Sequence, residues 1–488
     1  MSETTMQLEL RFETADSPRG NSAEGDGSSP SRSGEEPKSS PTTRNASSST
    51  MFEEIANATN LRKAWLHVAR NDGAAGPDRE SIDDVREHAD EVLAALRREL
   101  LRGTYRPGDI RRVWIPKPGG GQRGLGIPNV VDRIVQQATA QVLSPLYEPT
   151  FHRSSHGFRP GRSCHTAIAE AREHLAAGCG WVVDFDLSKF FDRVHHERLL
   201  ARLARRVSDV RVLSLIRQML KAKVVMPDGV VVSSTEGTPQ GGPLSPLLSN
   251  IVLDELDREI DQRGLRFVRY ADDCNIYVRS ERAGRRVMAS ITQFIERRLR
   301  LKVNQEKSAV ARPEERHFVG FRLQLMPKSG NVVVMLSKRS RDRVYEALRE
   351  RTPRTWGRSI KTCIQELNAY LRGWVAFFRI CSSRETRTFA RIDSHVRRRL
   401  RAIVLRHWKR LATARRKLRR LEVPPRVLRD WSTRGRSWWS LAHTSAVEKG
   451  LSNEWFAKLG LVSVEERWRA LRDGTVVDEG GQLTLRLR

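Results

Sequence analysis

Cysteines and long apolar runs are both scarce in this chain of 488 residues. The five cysteines are scattered, and none forms a Cys-x-x-Cys pair. A disulfide-stabilised scaffold and a zinc ribbon are therefore disfavoured, and a reducing compartment such as the cytoplasm is expected. No apolar run approaches the roughly 18 residues that indicate a transmembrane helix, so no membrane partner is expected.

Positive charge is abundant instead. The chain has 87 Lys and Arg residues against 58 Asp and Glu residues, a formal net charge of +29. Such a surplus favours a polyanionic partner, most commonly a nucleic acid. The bases are densest between Lys338 and Arg420, where Trp356, Trp374 and Trp408 are interleaved with them. This pattern predicts nucleic-acid binding, whereas a membrane-surface helix, the alternative, would need one short segment with a clean apolar face.

The spacing of apolar residues divides the chain into five parts. Residues 1–50 are rich in Ser, Thr, Pro and Gly, which predicts a disordered tail. Residues 51–110 show helical spacing, and residues 111–330 alternate strand patterns with long helices, which is typical of an α+β domain. Residues 336–422 are almost entirely helical in pattern. Residues 423–488 begin with a Pro-Pro pair and form a small Trp-rich unit.

Acidic residues interrupt two of the predicted strands. Asp272 and Asp273 lie inside the apolar run 267–278, and Asp186 ends the run that begins at Val182. Adjacent carboxylates in a strand are destabilising unless cations lie against them, and a solvated Asp-Asp turn is the simpler alternative. Convergent aspartates would supply the oxygen ligands that Mg²⁺ prefers. They could hold two ions about 4 Å apart for phosphoryl transfer.

The sequences around these aspartates resemble the motifs of reverse transcriptases. Residues 270–273 (Tyr-Ala-Asp-Asp) are similar to the Y-x-D-D box of that family, and Asp186 with Phe-Phe-Asp at 190–192 resembles its first palm motif. Further matching segments are 157–163, 238–246, 303–307 and 318–321. The resemblance implies a right-hand polymerase with fingers and palm, in which Asp186, Asp272 and Asp273 are the catalytic residues and hold two Mg²⁺.

The resemblance also implies contacts between a finger hairpin and the incoming dNTP. Lys117 and Arg123 flank a glycine turn and would meet the triphosphate, because fixed cations neutralise phosphate charge. Gly124 stands where proline is usual in the family. We expect this departure to loosen the hairpin but to leave Arg123 available.

Four more residues are assigned to nucleotide binding by the resemblance. Gln240 and Gly241 would touch the nucleotide and the templating base. Phe191, five residues after the first aspartate, would exclude a ribose 2′-hydroxyl and so favour dNTPs. Lys307 would act near the pyrophosphate as an acid or a cation.

A second set of motifs narrows the resemblance to bacterial group II intron-encoded reverse transcriptase/maturases. Residues 367–374 (Leu-Asn-Ala-Tyr-Leu-Arg-Gly-Trp) resemble the thumb/maturase (X) signature, and residues 423–488 look like the DNA-binding region. No Cys-pair/His-Asn endonuclease motif follows, so the type without an endonuclease domain is expected. An all-helical thumb would bind RNA, and the predicted contacts are Arg372, Arg397, Arg398 and Arg399.

The resemblance thus implies an RNA-directed DNA polymerase that is also the splicing cofactor (maturase) of a group II intron. It would act in retrotransposition by target-primed cDNA synthesis, with intron RNA, a DNA target and a primer as partners. Homodimerisation stays open. The expected location is the bacterial cytoplasm, at the nucleoid when DNA is the target. Two alternatives also stay open: an RNA-binding maturase with an idle polymerase, and a reverse transcriptase recruited by its host to phage defence.

Overall fold

The computed structural model describes most of the chain, namely residues 50–116, 121–233, 236–238, 241–353, 355–431 and 436–475. The disordered tail predicted for residues 1–50 therefore lies outside the described residues, apart from Thr50. Thr50 begins the first helix with a capping box. Its hydroxyl accepts a hydrogen bond from the Glu53 N–H, and the Glu53 carboxylate accepts one from the Thr50 N–H.

The described residues form ten strands and nineteen α-helices. The strands are β1 (Ile110–Pro116), β2 (Gln122–Ile127), β3 (Trp181–Phe185), β4 (Val224–Val225), β5 (Val231–Val232), β6 (Arg266–Tyr270), β7 (Asp273–Val278), β8 (Ala309–Ala311), β9 (Phe321–Leu325) and β10 (Val332–Leu336). The helices are α1 (Met51–Ile55), α2 (Ala58–Arg70), α3 (Ile82–Glu87), α4 (Ala89–Arg102), α5 (Val130–Tyr147), α6 (Cys164–Ala176), α7 (His196–Ala204), α8 (Val210–Leu220), α9 (Ser245–Gln262), α10 (Glu281–Phe294), α11 (Lys338–Arg351), α12 (Ile360–Phe377), α13 (Thr386–His407), α14 (Leu411–Arg420), α15 (Pro425–Arg429), α16 (Trp438–Leu441), α17 (Ser445–Gly450), α18 (Asn453–Lys458) and α19 (Val464–Arg472).

Helices α1 to α5 and the β1–β2 hairpin precede the central sheet in the chain, and this region, with the small sheet to which the hairpin belongs, is called the fingers below. Leu61, Trp65 and Val68 recur at helical spacing on α2 and are buried against α5. The sheet has the order β2-β1-β4-β5, with β1 and β2 antiparallel. The β1–β2 hairpin is the segment that the sequence motifs indicate as the finger hairpin.

The central sheet, called the palm sheet below, has the order β6-β7-β3-β8 and is antiparallel throughout. Successive residues point to opposite faces. Val183 and Ile276 join a core with α9 and α10, whereas Val182 and Tyr277 join a second core with α6 and the helices after β10. Both faces of the sheet are therefore covered, and polar chemistry is left to the strand ends.

Helices α11 to α14, called the thumb below, share one hydrophobic core with the last five helices. The rings of Trp468 and Phe389 stack with centroids 4.7 Å apart. The Asp393 carboxylate accepts hydrogen bonds from the N–H groups of Val464 and Glu465 and so caps α19. The predicted α+β class with a helical C-terminal region is confirmed. None of the described helices combines the length and apolar character that crossing a bilayer requires.

Candidate active site

The three predicted catalytic aspartates lie at one end of the palm sheet. Strands β3 and β7 are antiparallel, and their last pair is Phe185 with Cys274. The next position of each strand carries Asp186 and Asp273, so the register brings these two residues opposite each other. Strands β6 and β7 form a tight hairpin that leaves Asp272 in the turn. Residues far apart in the sequence are thus brought together by strand register.

Like charges crowd this end of the sheet. Burial raises the pKa of Asp272, and the negative charge of Asp186 adds to the rise, while Arg123 opposes it. Solvent reaches the Asp273 side chain, yet desolvation by the surrounding protein and the charges of Asp272, Asp184 and Asp186 raise its pKa as well. The neighbouring negative charges therefore make ionisation of Asp272 and Asp273 harder, which is the condition that a bound cation relieves.

The donor set suits a hard divalent cation, because it consists of carboxylate oxygens without a His or Cys cluster. Among the described residues, no three acidic, histidine or cysteine side chains already converge on one metal position.

The Asp186 backbone is held by the segment that carries Lys307. The Asp186 N–H donates to the Ser308 hydroxyl at 3.0 Å, and its carbonyl accepts from the Asn304 N–H at 2.8 Å. Arg316 binds the Asp184 carboxylate at 2.6 Å and also donates to the Lys307 carbonyl at 2.5 Å. The structure thereby brings the exposed Lys307 to the same end of the sheet as Asp186.

The finger hairpin reaches towards these carboxylates. Arg123 on β2 pairs with Ile115, and its charge acts on Asp272. The ladder continues through the pair of Trp114 and Gly124, so the glycine lies within the paired part of the hairpin. A Cβ at Gly124 would lie 2.6 Å from an Arg112 guanidinium nitrogen, which in turn donates to the Gly124 carbonyl. Lys117 lies outside the described residues.

The predicted nucleotide loop packs between fingers and palm. Gly241 has a φ of 127°, and a Cβ there would lie 2.7 Å from the Gly126 carbonyl oxygen, so the close approach to β2 needs glycine. Phe191 is half-buried, and its carbonyl accepts from the Thr238 N–H at 2.7 Å. Gln240 lies outside the described residues.

The predicted RNA contacts on the thumb differ in their surroundings. Arg372 on α12 is exposed, whereas the other three are half-buried on α13. The Arg398 guanidinium lies 4.1 Å from the centre of the Trp439 ring, and Arg399 donates to the Thr352 carbonyl at 2.6 Å. Arg398 and Arg399 therefore also stabilise the fold, and Arg372 is the most exposed of the four predicted RNA contacts.

One residue at the site was not among those predicted from the sequence. Arg269 on β6 is completely buried and donates to the carbonyl of Ala271, the residue before the Asp272 and Asp273 pair. A charged residue inside an apolar strand pattern is the signal that could have identified it, because such a residue requires buried partners.

Comparison with known protein families agrees with this geometry. Residues 115–323 match the family described as reverse transcriptase (RNA-dependent DNA polymerase). Residues 341–421 match the group II intron, maturase-specific domain. The chain therefore carries a reverse transcriptase domain followed by a group II intron maturase domain, and the resemblance to group II intron-encoded proteins is confirmed.

Individual relatives agree over part of their length. Protein YkfC of Escherichia coli is 46% identical over 178 residues, which are 36% of this chain and 46% of that protein. The group II intron-encoded protein LtrA of Lactococcus lactis is 36% identical over 208 residues, which are 42% of this chain and 34% of LtrA. The matched part is thus less than half of each relative. A solved chain of a partial Cas6-RT-Cas1–Cas2 complex aligns at 24% identity with a TM-score of 0.34, over 51% of this chain and 43% of that chain.

Proposed function

We propose that this chain is an RNA-directed DNA polymerase and the maturase of a group II intron. The observation that carries the proposal is the register of β3 and β7, which sets Asp186 opposite Asp273 beside the turn that contains Asp272. A pure RNA binder has no need for three acids at one strand end. The maturase-specific domain that follows the polymerase domain supports the intron association.

In this proposal Asp186, Asp272 and Asp273 hold two Mg²⁺ as the cofactor. When bound, such ions lower the pKa of a primer 3′-hydroxyl and neutralise the charge of the leaving pyrophosphate. Arg123 contributes a fixed positive charge from the fingers side of the site. The protein residues thereby position the reactants and compensate charge.

Nucleotide selection is assigned to the fingers–palm junction. Lys117 and Arg123 would bind the dNTP triphosphate, and Gln240 and Gly241 would contact the base pair. The half-buried Phe191 lies just after β3, which suits a ring that excludes a 2′-hydroxyl. These roles follow from the motif positions, and the contacts of Gly241 with β2 support them.

The maturase role is assigned to the basic thumb. A-form RNA is bound mainly through its shape, its phosphates and its 2′-hydroxyls, so exposed arginines on helices suit it. Bound there, the intron RNA would be stabilised in its active shape, and the protein would supply no splicing chemistry. Retrotransposition would then use a DNA target and its primer end for cDNA synthesis, in the bacterial cytoplasm at the nucleoid.

Primer extension on an RNA template with Mg²⁺ and dNTPs tests the polymerase proposal. Wild type should make cDNA, and Asp272→Asn should abolish synthesis while intron RNA binding persists. Asp228→Asn, an exposed turn acid between β4 and β5, is the matched control and should remain active. A wild-type chain that binds intron RNA but makes no cDNA would instead identify a maturase with an idle polymerase.

A further inference from the structure

Arg269 uses every hydrogen-bond donor of its guanidinium inside the protein. Its Nε and one terminal nitrogen bind the two Asp257 carboxylate oxygens at 2.7 and 2.6 Å. The remaining donors reach the Asn250 side-chain oxygen at 3.0 Å, the Ser155 hydroxyl at 2.7 Å and the Ala271 carbonyl at 2.8 Å. Five donors thus meet five acceptors, which is the complete capacity of an arginine.

The acceptors come from three separate segments, and all are buried. The side chains of Arg269 and Asp257 are both 0% exposed. Ser155 and Asn250 are buried as well. Removing one partner of such a pair leaves an uncompensated charge in the interior, which is strongly destabilising. The network therefore has one arrangement, and it fixes the position of each group that it contacts.

The Ala271 carbonyl is the acceptor with a functional neighbour. Ala271 has a φ of 57°, the left-handed conformation that a residue with a Cβ rarely adopts. Such a conformation persists only where the surroundings determine it. The next two residues are Asp272 and Asp273, so the direction of the Ala271 peptide sets where both carboxylates point.

The turn is held from a second side by Gly157. A Cβ at Gly157 would lie 2.1 Å from the Ala271 backbone nitrogen, so the two backbones are in contact. The Gly157 carbonyl accepts a hydrogen bond from the Asn250 side-chain nitrogen at 2.9 Å. Asn250 thus links Arg269, which binds the Ala271 carbonyl, to Gly157, which packs against the Ala271 nitrogen.

An apolar side chain could fill this strand position without the desolvation cost of a guanidinium. What an apolar residue cannot provide is a directed donor at the Ala271 carbonyl. Lysine could retain the charge but would lack the planar fork that matches Asp257 and the carbonyl together. The geometry therefore needs arginine for direction as well as for charge.

We propose that Arg269, supported by Asp257 and Asn250, is a positioning residue that fixes the turn carrying Asp272 and Asp273 for metal binding and catalysis. The proposal rests on the polymerase function proposed above. Arg269 touches neither substrate nor metal and acts through the backbone of Ala271.

The test is steady-state primer extension by the purified full-length Arg269→Lys variant on an RNA template annealed to a DNA primer. A small displacement of catalytic groups lowers the rate on the order of 100-fold, so kcat should fall by that factor. KM for dTTP should stay close to wild type, since the finger residues are unaltered. The Mg²⁺ concentration for half-maximal rate should rise, because the two carboxylates are no longer prepositioned.

Two further variants separate positioning from folding. Arg401→Lys is the matched control: Arg401 is 6% exposed and donates to the Leu451 carbonyl at 2.9 Å, in the core between thumb and C-terminal helices. It should lower the melting temperature without changing the Mg²⁺ dependence. Asn250→Ala retains the ion pair and should lower kcat about tenfold with the same rise in the Mg²⁺ requirement.

The outcomes are distinct. If wild type extends the primer and the folded Arg269→Lys and Asn250→Ala variants keep the wild-type Mg²⁺ dependence and kcat, the positioning role is wrong and the polymerase proposal stands. If Arg269→Lys does not fold, Asn250→Ala alone decides in the same way. If wild type makes no cDNA, the polymerase proposal fails and the positioning role fails with it.

Discussion

Like charges repel one another both at the end of the palm sheet and on the thumb. The charges are negative carboxylates in the palm and positive guanidinium groups on the thumb. At the palm, burial and neighbouring carboxylates raise the pKa of Asp273. On the thumb, burial and the charges of Arg399, Arg349 and Arg398 lower the pKa of His395 to about 4. In each place the protein disfavours adding a charge of the sign already present.

The difference teaches which ligand each region is built to receive. Repelled carboxylates are relieved by cations, and repelled guanidinium groups are relieved by phosphates. In the proposed function, one chain holds a metal-dependent reaction centre and a polyanion-binding surface that act in different steps. If this division is correct, each region can be damaged without loss of the other.

The largest expected effect is a loss of polymerase activity at the palm with RNA binding by the thumb retained. Asp186→Asn should reduce cDNA synthesis by at least about 1000-fold, because a ligand charge at the reaction centre is lost. The dissociation constant for intron RNA, measured by filter binding, should change less than twofold by comparison. A parallel loss of RNA affinity would mean that the two regions are not separable.

The next largest effect tests the role of Phe191 in selecting dNTPs over rNTPs. Phe191→Ala should raise the use of rNTPs relative to dNTPs by on the order of 100-fold, because nothing then excludes the 2′-hydroxyl. Competition between dCTP and rCTP in single-nucleotide extension measures the ratio. Phe190→Leu is the control: Phe190 is 2% exposed, so its loss should lower stability and leave sugar selection unchanged. An unaltered ratio in Phe191→Ala would show that the Phe191 ring does not exclude the 2′-hydroxyl.

Much of this site could be predicted from the sequence, because its signals are local. Apolar strands that end in aspartates indicate a polar site at a strand end, and register then brings Asp186 opposite Asp273. The two-residue strands β4 and β5 were not predicted, since so short a run of valines has no periodicity.

The Arg269 network could not be predicted, for a physical reason. Its acceptors Ser155, Asn250 and Asp257 come from a loop and a helix that only the folded chain brings against β6. The assignment of Arg398 to RNA has the same difficulty. A basic run on a helix does not reveal which side chain packs on a tryptophan and which one faces solvent.

A smaller effect is expected for RNA binding by the thumb. Arg372→Gln should weaken intron RNA binding severalfold and reduce the salt slope of the binding constant by about one, because one phosphate contact is lost. Binding measured between low and moderate KCl concentrations gives the slope. Arg399→Gln, by contrast, should lower the free energy of unfolding by about 1–3 kcal/mol, since the Thr352 carbonyl loses its donor. Equal salt slopes for wild type and Arg372→Gln would contradict the RNA contact.

The smallest effect concerns the pH dependence of the thumb. His395 has a folded pKa of about 4, below the ordinary value of about 6.5 in the unfolded chain. Between these values the unfolded chain binds a proton that the folded chain does not, so stability falls as the pH is lowered through this window. We expect His395→Gln to remove about 1 kcal/mol of the acid-induced loss, as measured by urea unfolding at pH 7 and pH 5. Bound RNA should have a similar effect on wild type, because its phosphates offset the arginine charges that oppose protonation. If RNA leaves the pH dependence of wild type unchanged, the repulsion around His395 is not what the polyanion relieves.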